Sequence, residues 1–197
     1  RGFEMNDLSI AALILAGGQS SRMGEDKAFV LYEGKPLLQR VYEVAAICSQ
    51  KVYIATPWPK RYQTLLTEDY EVILEKEPNQ GPLIALSQGL SQIPFDWIWL
   101  LACDLPRLEP AMIQHWQTRL TVLPDTILAV IPQTKSRWEP LCGFYRRSAY
   151  DHLQGFMAPG GRSFQRWLSQ IPVEPIELSE AESQMLLNCN RPDDLKP

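Results

Sequence analysis

The sequence predicts a single α/β domain of the doubly wound type, with a mainly parallel sheet. Three observations predict it. Short apolar, strand-like runs alternate with helical patterns along the whole chain. The runs at 10–16 and 97–103 are apolar at nearly every position, as in strands covered by helices on both faces. A glycine-bearing polar stretch, 16–24, follows the first run, where a strand turns towards a helix.

The elements follow in order. Residues 9–15 read as a first strand. Pro36 suits the first turn of a helix reaching about residue 47, with Leu37, Val41, Val44 and Ala45 on its inner face. Strands at 51–56 and 71–74 flank an expected helix at 60–66. Pro82 opens the next helix, where Leu83, Leu86 and Leu90 recur at helical spacing. The fourth strand, 97–102, is the most apolar. A helix near 111–120, strands at 126–131 and 142–145, and helices at 148–153 and 163–168 complete the pattern. The segment 185–187 is apolar, and Pro192 could begin a short last helix over 192–195. The expected domain runs over 5–197, and Arg1–Glu4 precede a natural-looking start at Met5.

Composition narrows the function classes. The chain has 197 residues, enough for one good core. Its formal net charge of -4 argues against a general nucleic-acid surface. Cys48, Cys103, Cys142 and Cys189 stand far apart, as do His115 and His152, so neither a zinc site nor a disulfide scaffold is expected. A reducing compartment fits that cysteine usage. The apolar runs are too short to span a bilayer, and no secretory leader is evident. Trp97, Trp99, Trp116 and Trp167 read as core residues, while Trp58 and Trp138 fall in loops.

The segment Leu15-Ala16-Gly17-Gly18-Gln19-Ser20-Ser21-Arg22-Met23-Gly24-Glu25-Asp26-Lys27 carries the most chemistry. Adjacent glycines let the backbone approach a ligand, and exposed amides can cradle phosphate oxygens. Arg22 offers a planar fork and Lys27 a point charge. A polar turn with solvated cations is the plainer reading. The glycines together with both cations favour phosphate binding over it. The loop is neither a P-loop nor a G-x-G-x-x-G fingerprint.

A second constellation is Cys103-Asp104-Leu105-Pro106, directly after the fourth strand. Ligands bind at the carboxyl ends of strands in open α/β sheets. A carboxylate there can hold Mg²⁺, which takes one or two carboxylates besides phosphate oxygens and waters. An Asx turn before Pro106 is the alternative. The glycine loop tips the balance towards metal.

With these motifs in view, the chain resembles the molybdenum cofactor guanylyltransferases, a branch of the nucleotidyltransferases with a Rossmann-like fold. The resemblance runs from Leu13 to Leu195 and includes Gly34-Lys35-Pro36-Leu37-Leu38. It implies that Leu15, Ala16, Gly17, Gly18 and Lys27 bind the nucleotide. It also implies that Arg22, Lys27 and Asp104 are catalytic, and that Asp104 ligates Mg²⁺. Gly81 and Pro82, in a Gly-Pro-Leu segment where Ala85 replaces a frequent glycine, would border the nucleotide; an ordinary Gly-Pro helix start is the plain alternative. Glu75 stands where relatives often place an Asp, and either substitutes for it by longer reach or is a solvated strand-end acid.

For the acceptor the resemblance points to four residues. Glu139 lies in Glu139-Pro140-Leu141, and Arg162 in Gly160-Gly161-Arg162-Ser163. Asn188 and Asn190 lie in the terminal Asn-x-Asn segment, where Arg191 replaces the usual Thr. An exposed loop acid, a helix cap by Ser163, and Asn caps before Pro192 are the respective plain alternatives. The resemblance implies GTP and molybdopterin as substrates, a cytoplasmic monomer, and dealings with other molybdenum cofactor proteins. The nucleotide-binding half would cover about 8–106 and the acceptor half about 107–195. Related cytidylyltransferases carry Ala at the position of Gly17, which points here to GTP. Cytidylyl transfer, sugar-1-phosphate chemistry and non-catalytic GTP binding are the rival functions.

Overall fold

Strands that are apolar at every position need cover on both faces, and the helices supply it. The computed structural model describes residues 8–18, 25–66, 69–135 and 137–189. Strand β1 (Ile10–Leu15) is central. It pairs in parallel with β4 (Lys51–Thr56) on one side and β6 (Trp97–Ala102) on the other. Beyond β4 lies β5 (Glu71–Leu74), also parallel. Beyond β6 the direction changes. Strand β9 (Cys142–Arg146) runs antiparallel to both β6 and β7 (Ala129–Thr134). The edge strand β10 (Val173–Glu177) is parallel to β7, and the short β8 (Arg137–Trp138) folds back onto β7. The order is β10-β7-β9-β6-β1-β4-β5, with β8 off the path, so the sheet is mainly parallel with one reversed strand inside it.

Alternation along β1 divides the core. Ala12 and Ile14 face α1 (Leu37–Cys48) and α3 (Pro110–Gln117), packing with Val41, Ala45, Ile113 and Trp116. Ala11 and Leu13 face α2 (Pro82–Gln92), α4 (Tyr150–Met157) and α5 (Phe164–Leu168), packing with Leu83, Leu86, Leu90, Leu153 and Trp167. The four tryptophans expected in the core are each at most 2% exposed.

Several expectations shift. Pro36 does not open α1 but ends a hairpin of β2 (Leu31–Tyr32) and β3 (Lys35–Pro36), which turns through Glu33 at φ 48° and Gly34 at φ 77°. The helix expected at 60–66 is only a 3-10 turn, Pro59–Tyr62. The carbonyl of Tyr62 accepts from both Leu65 and Leu66 amides, and this tight turning closes the segment before a helix can grow. Strand β7 begins at Ala129 rather than 126, because the Ile127 amide bonds back to the Pro124 carbonyl in a turn. The sequence reading also missed β8, β10 and α6 (Glu180–Met185). The helix expected at 192–195 lies outside the described residues.

Candidate active site

All parallel strands of the β6-β1-β4-β5 block end at one edge, which collects the turns after Leu15, Thr56, Leu74 and Ala102. The first turn stays close to its neighbour strand, since the Ala16 amide bonds to the Ala55 carbonyl at 3.0 Å. Gly17 follows with φ 110°. A Cβ there would lie 3.1 Å from Cε3 of Trp58 and 3.2 Å from both Pro57 Cδ and Thr56 Oγ1. Backbone conformation therefore favours glycine, and a Cβ would fit only if Trp58, Pro57 and Thr56 gave way by a few tenths of an ångström. Gly18 is exposed, with open space where its Cβ would be. Arg22 lies outside the described residues.

Lys27 returns to this edge on a 3-10 turn, Lys27–Phe29. Its Nζ donates to Asp104 Oδ2 at 2.9 Å. Asp104 is 8% exposed, and its Oδ1 is buried without a hydrogen-bond partner among the described residues. A carboxylate with one oxygen on a lysine and the other unmatched is suited to a cation. No group of three or more His, Cys, Asp or Glu side chains is placed to hold a metal among the described residues. The donor set therefore fits a hard ion held by one carboxylate together with ligand phosphates, rather than an ion caged by protein alone. Beside it the Cys103 thiol is pushed up to about 12 by burial and by the Asp104 charge, so it stays protonated and inert.

The residue before Lys27 was not singled out by the sequence, yet both of its carboxylate oxygens are engaged. Asp26 Oδ1 accepts from the Ala28 amide, and Oδ2 accepts from the Tyr62 hydroxyl at 2.6 Å and from Arg61 at 3.2 Å. The Arg61 guanidinium stacks over the Trp58 ring at 4.1 Å. The signal available in the sequence was the Asp before a short turn, a favoured N-cap. Its long-range partners were not legible.

Glu75 sits half-buried just past β5, its amide bonded to the Thr56 carbonyl, and burial raises its carboxyl pKa. Gly81, at φ 90°, and Pro82 form the start of α2 after β5. Both thus belong to the edge that carries Lys27 and Asp104.

On the other side of β6 lies a cavity of about 310 Å³. Glu139, Trp138, Gln165 and Asn188 are among its walls, together with Ala102 and Leu105 next to Asp104. Gln165 holds the Trp138 backbone at both its amide and its carbonyl, and Thr134 donates to Glu139. The Cys189 amide bonds to the Asp104 carbonyl at 3.0 Å, which docks the chain after α6 beside the acid. Glu139 and Asn188 are thus brought together. Arg162 is not among the cavity walls, and its guanidinium bonds to the carbonyls of Met157, at the end of α4, and of Gly161 beyond it. Ser163 caps α5 by accepting from the Arg166 amide, the plain alternative for that segment. Asn190 lies outside the described residues.

A sheet of this order, with a lysine and an acid facing each other at its parallel edge, is that of a nucleotidyltransferase. The chain belongs to the MobA-like NTP transferase family, whose model matches residues 12–173. It is 48% identical over 191 residues to the "Probable molybdenum cofactor guanylyltransferase" of Trichormus variabilis, covering 97% of this chain and 90% of the relative. It is 33% identical over 187 residues to the "Molybdenum cofactor guanylyltransferase" of Pseudomonas entomophila, covering 92% and 93% respectively. In fold it is similar to the molybdopterin-guanine dinucleotide biosynthesis protein A of Archaeoglobus fulgidus, with a TM-score of 0.75, 23% identity and 94% of each chain covered. No helix among the described residues is long and apolar enough to cross a membrane.

Proposed function

We propose that the protein transfers GMP from GTP to the terminal phosphate of molybdopterin, or of its metal-bearing form, and releases pyrophosphate. The observation that carries this reading is the Lys27–Asp104 pair at the strand edge, 2.9 Å apart, adjoining the cavity lined by Glu139 and Asn188. The names of the relatives supply the substrates.

The acceptor's nucleophile is already an anionic phosphate, so no strong general base is needed. Rate enhancement then rests on positioning and on neutralising charge. Leu15, Ala16, Gly17 and Gly18 offer backbone to the nucleotide, with Gly81, Pro82 and Glu75 along the same edge. Lys27 neutralises phosphate charge, and Arg22 adds a second cation. Asp104 is the residue that would hold Mg²⁺, and Mg²⁺ when bound supplies Lewis-acid stabilisation of the phosphate oxygens. Glu139, Asn188 and Asn190 orient the acceptor, and Arg162 offers it positive charge if it leaves its two carbonyls. The protein acts as a cytoplasmic monomer in this reading.

Purified protein incubated with Mg²⁺, molybdopterin and either GTP or CTP tests it. Pyrophosphate release that requires acceptor and metal and favours GTP is expected. Preference for CTP would overturn the guanylyl assignment. Release without acceptor would overturn the transfer.

A further inference from the structure

We propose that Tyr62, acting through Asp26, is a positioning residue that sets Lys27 for nucleotidyl transfer. The inference rests on the nucleotide-binding reading above. Lys27 stands on a turn of three residues, Lys27–Phe29. Among the described residues, the turn's own backbone bonds are the Phe29 amide to the Asp26 carbonyl at 3.0 Å, and the Val30 amide to the Lys27 carbonyl at 3.1 Å. So short a turn cannot fix a long, flexible lysine by itself. Its place is set from outside.

Asp26 provides the link. One oxygen, Oδ1, caps the turn at the Ala28 amide, 3.1 Å away. The other, Oδ2, is held by the Tyr62 hydroxyl at 2.6 Å and by Arg61 at 3.2 Å. Hydrogen bonds to an ionised carboxylate are shorter and stronger than neutral ones. Tyr62 itself is 1% exposed, with its ring centroid 5.8 Å from that of Phe29. Burial and the neighbouring Asp26 raise its pKa well above the usual tyrosine value, so it remains a donor. The packed ring thus transmits the rigidity of the core to the turn.

The same bonds settle a charge conflict. Asp26 is adjacent to Lys27 and would compete with Asp104 and with phosphate for its ammonium. With both Asp26 oxygens engaged, Lys27 reaches Asp104 instead. Arg61 extends the bracket, because it stacks on Trp58, whose ring packs against Gly17. The turn of Lys27 and the loop of Gly17 are therefore tied into one frame.

The test is a kinetic cycle of Tyr62→Phe, Asp26→Ala and the double variant, with GTP, Mg²⁺ and molybdopterin. Tyr62→Phe keeps the ring and removes one hydroxyl. Misplacing a catalytic group by an ångström or less costs about ten- to a hundredfold, so kcat should fall by that factor while KM for GTP changes far less. Residues acting through one another are not additive, so the double variant should be no worse than Asp26→Ala alone. A folded Tyr62→Phe protein with unchanged kcat, or effects that multiply, would overturn the inference. Should Tyr62→Phe fail to fold, Arg61→Ala gives the same reading from an exposed position. Its kcat should fall several-fold, and an unchanged kcat would count against the inference. Wild-type protein that transfers no nucleotide removes the functional reading and this inference together. Active wild type with an indifferent Tyr62→Phe removes the inference alone.

Discussion

Asp104 has two unequal oxygens, one on Lys27 and one buried without a partner among the described residues. An unmatched buried acceptor costs about 1–3 kcal/mol, so its persistence at a strand edge is better explained by a ligand than by folding. Asp104→Asn keeps the shape and removes the charge. Its rate of pyrophosphate release should drop by orders of magnitude while circular dichroism and melting stay near wild type. Near-normal turnover would remove Asp104 from the metal. Gly17 is constrained differently. The resemblance links Gly17 to GTP, because related cytidylyltransferases carry Ala there and a purine needs more room than cytosine. The structure adds that φ is 110° and that a methyl would press on Thr56, Pro57 and Trp58. Non-glycine residues in such a conformation cost about 1–3 kcal/mol. Gly17→Ala should therefore lower kcat/KM for GTP and CTP together, and reduce the GTP preference without inverting it. Kinetics with both nucleotides would check this, and an unaltered protein would mean the loop shifts freely.

At the scale of elements, legibility followed burial. Strands β1 and β6 are apolar throughout because both faces are covered, so they were read directly. Strand β10 carries two glutamates and Pro175 at the sheet edge, a pattern that reads as loop when no partner is in view. The segment at 60–66 carries a helix-like pattern, but it closes as the 3-10 turn Pro59–Tyr62, whose contacts to Asp26 are long-range and have no local signal. In the site, Lys27 and Asp104 were legible from adjacent strand-end motifs, whereas Asp26, Tyr62 and Arg61 meet only through the fold. Helix α6 had a local signature that went unread. Ser179 accepts from the Glu182 amide, the Ser-x-x-Glu start of a capped helix. Losing such a cap costs about 0.5–2 kcal/mol, and for a domain of this size each kcal/mol moves Tm by roughly 2–4 °C. Ser179→Ala should lower Tm by several degrees in a thermal melt. An unchanged Tm would mean that α6 frays without cost to the whole.

For the whole molecule, the change of strand direction at β9 separates two regions. The parallel block of β1, β4 and β5 carries the glycine loop and Lys27, while β6, β9 and β8 border the cavity of Glu139 and Asn188. Asp104 stands at their boundary, and the tail reaches it by a backbone bond from Cys189. This arrangement predicts that ligand affinities can be separated by mutation. Asn188 is exposed at the cavity, and its side chain has no role in the Cys189–Asp104 bond. Replacing Asn188 and Asn190 by Ala therefore leaves that backbone link possible while removing the two amides proposed to orient the acceptor. A ligand group left without its partner costs about 1–3 kcal/mol, so molybdopterin should bind roughly 5- to 150-fold more weakly. GTP affinity should stay within about twofold, since distant independent sites are nearly additive. Calorimetry with each ligand separately measures both. A loss confined to GTP would put these asparagines on the nucleotide side. An equal loss for both ligands would mean that the tail supports the boundary at Asp104 as a unit, and that the two halves of the sheet are coupled through it.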